Sequence, residues 1–371
     1  MIPVFRPSMG DEEVKAVEGV LRSGWIGLGP KTKEFEERFA DYAGVECAVA
    51  LNSCTAALHL ALKVMNVEGG EVITSPMSFI STNHAILYND AVPVFADVEE
   101  DTLNMRVDEI ERLISRNTRA ILLVHYGGHA CDMDPILEIA GSRGVKVVED
   151  AAHACGGEYK NKKIGSIGDA TCFSFHAVKN LAMGDGGMIT VHDNEIADRI
   201  RRLYWLGISR GTWDRSKDKA YKWEYDVEEI GYKYHLNDIL AAIGIVQLEK
   251  LDRANARRKQ IVDKYNEAFK DVGWLRTPVE KEYARSANHN YVVKVLDGRR
   301  DALIEYLAAN DISAGVHYIP NHLYGMYKPF YRKLPVAERV WLQLVTLPLF
   351  PDLTESEQDY IIEKVRDFGR A

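Results

Sequence analysis

The stretch Val145-Lys-Val-Val-Glu-Asp-Ala-Ala-His153 joins a short apolar run to two carboxylates. An apolar run of this length is typical of a buried strand. An anion at the end of a buried strand is costly unless a cation meets it, so Glu149 or Asp150 should have a positive partner, such as a protonated pyridine nitrogen. The alternative is that the carboxylate caps a helix beginning at Ala151 or Ala152.

Similar apolar runs lie on both sides of this stretch and alternate with helical patterns. This alternation predicts an α/β fold with a mostly parallel sheet covered by helices, and ligands of such sheets bind outside the carboxyl ends of the strands. The predicted strands are Val72–Thr74, Val92–Val98, Ala120–His125, Val145–Glu149, Thr171–Phe175 and Met188–Val191. The predicted helices between them include Thr55–Val64, Val107–Ser115 and Pro135–Gly141.

Further helical patterns begin and end the chain. Asp11–Leu21 predicts an amphipathic helix with Val14, Val17 and Leu21 on its apolar face. A long pattern from Asn237 to about Phe269 predicts a helix that connects two lobes.

A smaller α+β unit should follow that long helix, and its last helix should open with a capping box at Thr354-Glu-Ser-Glu357. Its other predicted elements are a strand over Tyr291–Leu296 and a helix over Leu303–Ala309. The polar stretch Arg210–Lys222 predicts an exposed loop.

The composition argues against some classes of binding partner and some cellular compartments. The 371 residues carry 46 basic and 55 acidic side chains, a net charge of −9, and no long basic run, which argues against nucleic acid. The N-terminus has no signal-peptide pattern and no apolar stretch reaches membrane-spanning length. Five cysteines without CxxC spacing indicate reduced thiols and favour the cytosol.

A lysine stands alone in the stretch Cys172-Phe-Ser-Phe-His-Ala-Val-Lys179-Asn-Leu-Ala-Met-Gly-Asp-Gly-Gly187. A lysine shielded from water loses its charge more readily, and a neutral amine attacks an aldehyde to form a Schiff base. Ser174 is placed to donate a hydroxyl to a phosphate. The alternative is an ordinary surface lysine beside a glycine turn.

A third stretch, Leu51-Asn-Ser-Cys-Thr-Ala-Ala-Leu58, opens an apolar helix with small polar residues. The amides and partial positive charge at such a helix N-terminus provide a phosphate seat, to which Thr55 would add a hydroxyl. The alternative is a simple N-cap. Phe79 would by default be a core aromatic residue. Together, the three stretches supply a phosphate seat, a carboxylate for a ring nitrogen and a Schiff-base lysine, as pyridoxal 5′-phosphate (PLP) requires.

These stretches resemble the DegT/DnrJ/EryC1/StrS family of sugar aminotransferases, which have the aspartate-aminotransferase-like fold of type I PLP enzymes. The resemblance implies a seven-stranded sheet, a large PLP-binding domain over 1–236, and a connecting helix with a small domain over 237–371. The motifs that carry it are Ser23–Pro30, Glu149–His153, Ser174–Lys179, Gly231–Asp238 and Val316–Pro320.

The resemblance also implies roles for single residues. Lys179 would form the Schiff base with PLP, Asp150 would pair with the pyridine nitrogen, and His153 would approach or stack near the ring's O3′. The phosphate would be held by Ser174, Thr55 and Ala56, with Phe79 against the ring. No metal site is predicted.

Family members are dimers, or multiples of dimers, in which the segment matching Gly231–Asp238 reaches the partner's phosphate. An asparagine often makes this contact in relatives, whereas this chain has Lys233 and His235 in the motif. Either side chain is suited to a phosphate.

The activity implied is transfer of an amino group from an amino acid, by analogy L-glutamate, through pyridoxamine phosphate to a nucleotide-linked keto sugar. The motifs most resemble enzymes that aminate C4 of UDP-linked 4-keto sugars, especially those of the 4-amino-4-deoxy-arabinose and pseudaminic-acid pathways. The resemblance thus implies a role in amino-sugar and surface-polysaccharide or lipopolysaccharide biosynthesis. Amination of a 3-keto sugar or cyclitol is the alternative. A sugar 3-dehydratase typically has histidine at the position of Lys179, and a non-catalytic regulator would not need the three stretches together. A doubly wound nucleotide-binding enzyme without PLP would have a GxGxxG motif after its first strand, and this sequence has none there.

Overall fold

A seven-stranded sheet lies at the centre of the computed structural model, which describes residues 1–209 and 225–369. Its spatial order is β1-β9-β8-β5-β4-β2-β3, and β9 runs antiparallel to both its neighbours while the other described strands share one direction. The mainly parallel sheet is therefore confirmed. Its strands are β1 (Cys47–Leu51), β2 (Glu71–Thr74), β3 (Val92–Phe95), β4 (Thr118–Val124), β5 (Lys146–Asp150), β8 (Ala170–Ser174) and β9 (Gly187–Val191).

Six of these strands match the predicted apolar runs. The run at β1 was not predicted, although all five of its residues are buried. The run is short and lies directly before a helical pattern. Five apolar residues show no periodicity that distinguishes a strand from a helix, so the strand could not be recognised from the sequence.

Helices cover both faces of the sheet, and two apolar clusters lie beneath them. Phe35, Phe39 and Phe173 lie in one cluster, and Leu58, Leu60 and Ile189 in the other. The helices of the large unit are α1 (Asp11–Ser23), α2 (Pro30–Ala43), α3 (Cys54–Val64), α4 (Ile80–Leu87), α5 (Val107–Leu113), α6 (Met133–Arg143) and α7 (Asn194–Leu203).

Helix α1 forms where it was predicted, but its apolar face was assigned wrongly. Val14 and Leu21 are exposed, whereas Glu13 and Val20 are buried. Glu13 accepts hydrogen bonds from Lys250 Nζ at 2.7 Å and from Gln247 Nε2 at 2.7 Å. The helix is therefore oriented partly by a polar contact that apolar periodicity cannot reveal.

Helix α8 (Asp238–Phe269) runs for 32 residues, about 48 Å at 1.5 Å per residue. Asn237 caps it by accepting a hydrogen bond from Leu240 N at 3.0 Å. Leu251 in its first half joins the core of the large sheet, and Tyr265 in its second half joins the core of the C-terminal unit. Because one helix contributes to both cores, the predicted domain division at 236 and 237 stays a prediction.

The C-terminal unit combines a three-stranded antiparallel sheet, in the order β10-β12-β13, with helices. The capping box of its last helix is confirmed, because Thr354 N donates to Glu357 Oε2 at 2.9 Å and Glu357 N donates to Thr354 Oγ1 at 3.2 Å. The unit's elements are β10 (Leu275–Arg276), β12 (Tyr291–Val295), β13 (Leu344–Leu347), α9 (Arg300–Ala309), α10 (Pro335–Val340) and α11 (Glu355–Phe368).

A second small antiparallel sheet, in the order β11-β6-β7, joins β11 (Ala284–Arg285) to β6 (Glu158–Tyr159) and β7 (Lys162–Lys163). The predicted loop Arg210–Lys222 lies outside the described residues. Across the parts of the chain that are described, no helix is both long enough and apolar enough to cross a membrane.

Candidate active site

The polar residues of the three sequence stretches meet at one edge of the sheet. Asp150 ends β5, Ser174 ends β8, and α3 begins directly after β1. Gly187 starts β9 at the same edge, where a Cβ would lie 2.5 Å from the carbonyl carbon of Ser53. A glycine is therefore required for β9 to approach the first turn of α3.

Lys179 lies in a loop that folds back on the end of β8. The backbone N–H of Lys179 donates to His176 O at 2.8 Å, and Met183 N donates to Phe175 O at 3.0 Å. The residue keeps partial exposure, but its amino group is enclosed. Burial lowers the pKa of this amine to about 8, while Cys54 and Asp150 act in the opposite direction. The neutral form of this amine is therefore more accessible near neutral pH than that of an ordinary lysine.

Glu149 and Asp150 differ in the hydrogen-bond donors that surround their carboxylates. His125 Nε2 donates to Glu149 at 2.8 Å, and the other carboxylate oxygen accepts from Gly168 N at 2.7 Å and Thr171 Oγ1 at 2.8 Å. The chain itself therefore satisfies Glu149.

Asp150 is buried, and no cationic side chain among the described residues lies within hydrogen-bond distance of it. Thr82 Oγ1 donates to its carboxylate at 2.6 Å and Ala152 N at 3.0 Å. Burial raises the pKa of Asp150, and these two hydrogen bonds partly offset the rise. The bond to Ala152 is of the kind expected for a cap, but no helix follows. Asp150 therefore keeps the capacity to meet a cationic ring nitrogen.

His153 is a neutral ring with an assignable proton. Gly127 N donates to its Nδ1 at 3.3 Å, so the proton of the neutral ring is on Nε2, 3.1 Å from the hydroxyl oxygen of Tyr318. The pKa of His153 lies well below its ordinary value, mainly because the ring is buried and to a lesser extent because Lys179 and His317 lie nearby. Since the Tyr318 oxygen accepts from Nε2–H, its own proton is available to another acceptor.

Asn180, next to Lys179, ties the lysine loop to two other parts of the chain. Its Nδ2 donates to Asn255 Oδ1 at 2.8 Å and to Ala287 O at 2.7 Å. Its Oδ1 must then accept from His289 Nδ1, 3.0 Å away. The ring of His289 packs 4.5 Å from that of His153. The position of Lys179 is thus linked to α8 and to the start of the C-terminal unit.

The predicted phosphate seat is a capped helix N-terminus beside a cavity of about 430 Å³. Ser53 Oγ accepts from Ala56 N at 3.1 Å, while Thr55 lines the cavity and is half-buried. Tyr232 and Tyr234 also line it. The hydroxyl of Ser174 has one long contact, 3.5 Å from His176 N, and stays available.

The other predicted residues lie at the rim of the site. Phe79 is 60% exposed, unlike a core aromatic, and its ring is 6.4 Å from that of Tyr318. Lys233 is exposed, with Nζ 3.2 Å from the centre of the Trp205 ring. His235 pairs with Leu51 at the end of β1, and its buried Nδ1 has no partner within the described ranges.

Sequence reasoning missed Thr82, His289 and Asn180. Thr82 is 68 residues from Asp150 and is an unremarkable helix residue in the sequence. Asn180 was inside a quoted motif, but its importance depends on contacts with residues 75 and 109 positions away.

These residues fit PLP on the evidence of the chain's own contacts. A buried carboxylate lacks a cation, an enclosed amine has a lowered pKa, and a helix N-terminus and a free hydroxyl lie at the same sheet edge. Such an arrangement matches a ring with a positive nitrogen, a reactive aldehyde and a phosphate.

Comparison with known proteins gives a family match over nearly the whole chain. The family model described as the DegT/DnrJ/EryC1/StrS aminotransferase family matches residues 7–366. The spore coat polysaccharide biosynthesis protein SpsC of Bacillus subtilis strain 168 is 44% identical, over 99% of this chain and 96% of SpsC.

Two solved structures cover 100% of this chain and 99% of their own. The putative sugar aminotransferase Spr1654 from Streptococcus pneumoniae, in its PMP-form, is 34% identical with a TM-score of 0.94. PseC of Helicobacter pylori, described as an aminotransferase involved in the biosynthesis of pseudoaminic acid, is 28% identical with a TM-score of 0.93.

Proposed function

The chain belongs to the DegT/DnrJ/EryC1/StrS aminotransferase family of PLP-dependent sugar aminotransferases, and from this premise we propose that it aminates a nucleotide-linked keto sugar at C4, with L-glutamate as donor. The observation that carries the proposal is the enclosed amine of Lys179 at the same sheet edge as the cation-free Asp150. A dehydratase is not favoured, because the lysine is retained.

PLP, when bound, supplies an aldehyde that takes up the amino group and a ring that withdraws electrons from the reacting carbon. Asp150 would hold the proton on the ring nitrogen, and Thr82 and Ala152 N–H orient its carboxylate for that contact. Ser174, Thr55 and the first turn of α3, including Ala56, would hold the phosphate.

Lys179 would move the proton at the reacting carbon. Because its pKa is lowered to about 8, the neutral amine can accept the α-proton of the donor and return a proton to the sugar carbon in the second half reaction. The Tyr318 hydroxyl, oriented by His153, would donate to an oxygen on the ring or substrate, and Phe79 would cover the ring.

The proposal includes the assembly and the pathway. We propose a cytosolic homodimer in which Lys233 or His235 reaches the partner's cofactor phosphate. The sugar product would enter a surface polysaccharide or lipopolysaccharide. Supporting observations are five buried free cysteines and the likeness to SpsC and PseC.

A panel assay tests the substrate. Purified protein would be incubated with L-glutamate and nucleotide-linked 3-keto or 4-keto sugars, and the products analysed by mass spectrometry and NMR. We expect a mass change from keto to amino on a 4-keto sugar, with 2-oxoglutarate formed in equal amount. Amination of only the 3-keto sugars, or of none of the panel, would contradict the proposed substrate.

A further inference from the structure

A cleft of about 250 Å³ opens beside the lysine loop, and Lys179 and Asn180 form part of its wall. The N-terminal segment 6–8, helix α8 and residues 351–352 form the rest. The cleft therefore joins the lysine loop to the boundary between the large and C-terminal units.

The lining of this cleft is strongly cationic. The carboxylate of Asp352 is its only acidic group within the described residues, and Ser8 Oγ donates to it at 3.0 Å. Besides Lys179, its cationic residues are Arg6, Lys250, Arg253, Arg257 and Arg258.

Most of these cations are not neutralised by the protein. Lys250 is paired with Glu13 at 2.7 Å. Arg257 and Arg258 donate to backbone carbonyls, and Arg6 lies over the Phe350 ring. No carboxylate in the described parts of the chain lies within 4.0 Å of any of the four arginines.

Arg258 is the strongest indication of a ligand. It is 3% exposed, its Nη1 donates to Leu349 O at 3.0 Å, and its buried Nε has no partner. Burial lowers the pKa of its guanidinium to about 10, and Asp352 acts against this shift. A buried guanidinium with an unmet donor is costly unless an anion completes its contacts.

We propose that this arginine cleft binds an oxyanion of one of the two substrates while the reacting group of that substrate lies at Lys179. The proposal rests on the proposed function. Guanidinium groups bind phosphate and carboxylate oxygens in pairs, so the sources are the diphosphate of the sugar nucleotide and a carboxylate of the amino donor. The exposed Arg253 at the outer part of the cleft would make first contact with either anion.

Direct titration tests the cleft without requiring turnover. PLP-loaded protein would be titrated calorimetrically with pyrophosphate and, separately, with 2-oxoglutarate, for the wild type and for Arg253→Gln, Arg257→Gln and the double variant. We expect one probe to bind and each single variant to weaken it roughly tenfold to a hundredfold, the usual effect of one charge-assisted contact. The probe that responds identifies the source of the oxyanion.

Arg119→Gln is the matched control, because Arg119 is an exposed arginine on β4 whose side chain donates to the backbone carbonyl of Arg116 at 3.4 Å. It should leave both affinities unchanged. The proposal would be overturned if neither probe bound the wild type, or if the cleft variants bound a probe as tightly as the wild type does. It would also be overturned if Arg119→Gln lost as much affinity as the cleft variants. Failure of the sugar panel would instead contradict the proposed substrate and leave the titration result standing.

Discussion

The pocket around Lys179 and the segment Gly231–Asp238 differ in whether their polar side chains have partners within the chain. Around Lys179, the neighbouring side chains have partners within the chain, and burial sets the charge of the amine. In the segment, Lys233 is exposed against Trp205 and His235 keeps a buried nitrogen without a partner in the described chain. The ring-binding side chains thus find partners within one chain, and our proposal is that a second chain completes the phosphate side.

Lys179→Ala should have the largest effect. The variant should lose both transamination and the visible absorbance of the bound cofactor, because it removes the lysine that we assign to the Schiff base with the cofactor. Borohydride reduction of the wild type followed by peptide mapping should place the label on Lys179, and Lys15→Ala, on the exposed side of α1, should retain the absorbance. A label on another lysine would refute the assignment.

Asp150→Asn should reduce turnover roughly a hundredfold or more while cofactor binding persists, because an amide cannot hold the ring nitrogen protonated as a carboxylate does. The pKa of Asp150 is already raised by burial, so the neutral isostere should leave the melting temperature close to that of the wild type. Steady-state kinetics and thermal unfolding together check this. Near-normal turnover with a loss of about 1 kcal/mol in stability would favour a purely structural cap.

Lys233→Ala should have the smallest effect of the three, weakening PLP retention by about one to two decades if Lys233 donates to the partner's phosphate. Equilibrium dialysis against PLP measures this, with His235→Gln as the parallel variant. No change in either variant would mean that neither side chain contacts the phosphate and that Lys233 is a solvated lysine.

A mixed dimer of Lys179→Ala and Lys233→Ala chains sharpens the comparison. At limiting PLP, one of its two sites would combine intact residues from both chains, so about half the activity per dimer should return. If subunits exchange and no activity returns, the contact is not made across the interface.

Much of the fold followed from local patterns. Six strands of the main sheet, the long helix after Asn237 and the capping box at Thr354 were predicted at nearly their observed positions. Each depends on residues a few positions apart, so it is visible in the sequence. Strand β1 was missed because five buried residues show no period, and the face of α1 was wrong because Glu13 is buried by ion pairing.

The sequence by itself determined the alternation of strands and helices, the lysine and carboxylate that follow two of the strands, and the helix N-terminus that follows β1. Tertiary structure alone decided which carboxylate lacks a cation, which amide ties down the lysine loop, and which arginines form a cleft. Asp150 meets Thr82 and Asn180 meets His289 only because the strand order β1-β9-β8-β5-β4-β2-β3 and helix α8 bring distant segments together. Burial and hydrogen bonding between such segments depend on spatial neighbours, which local periodicity does not specify.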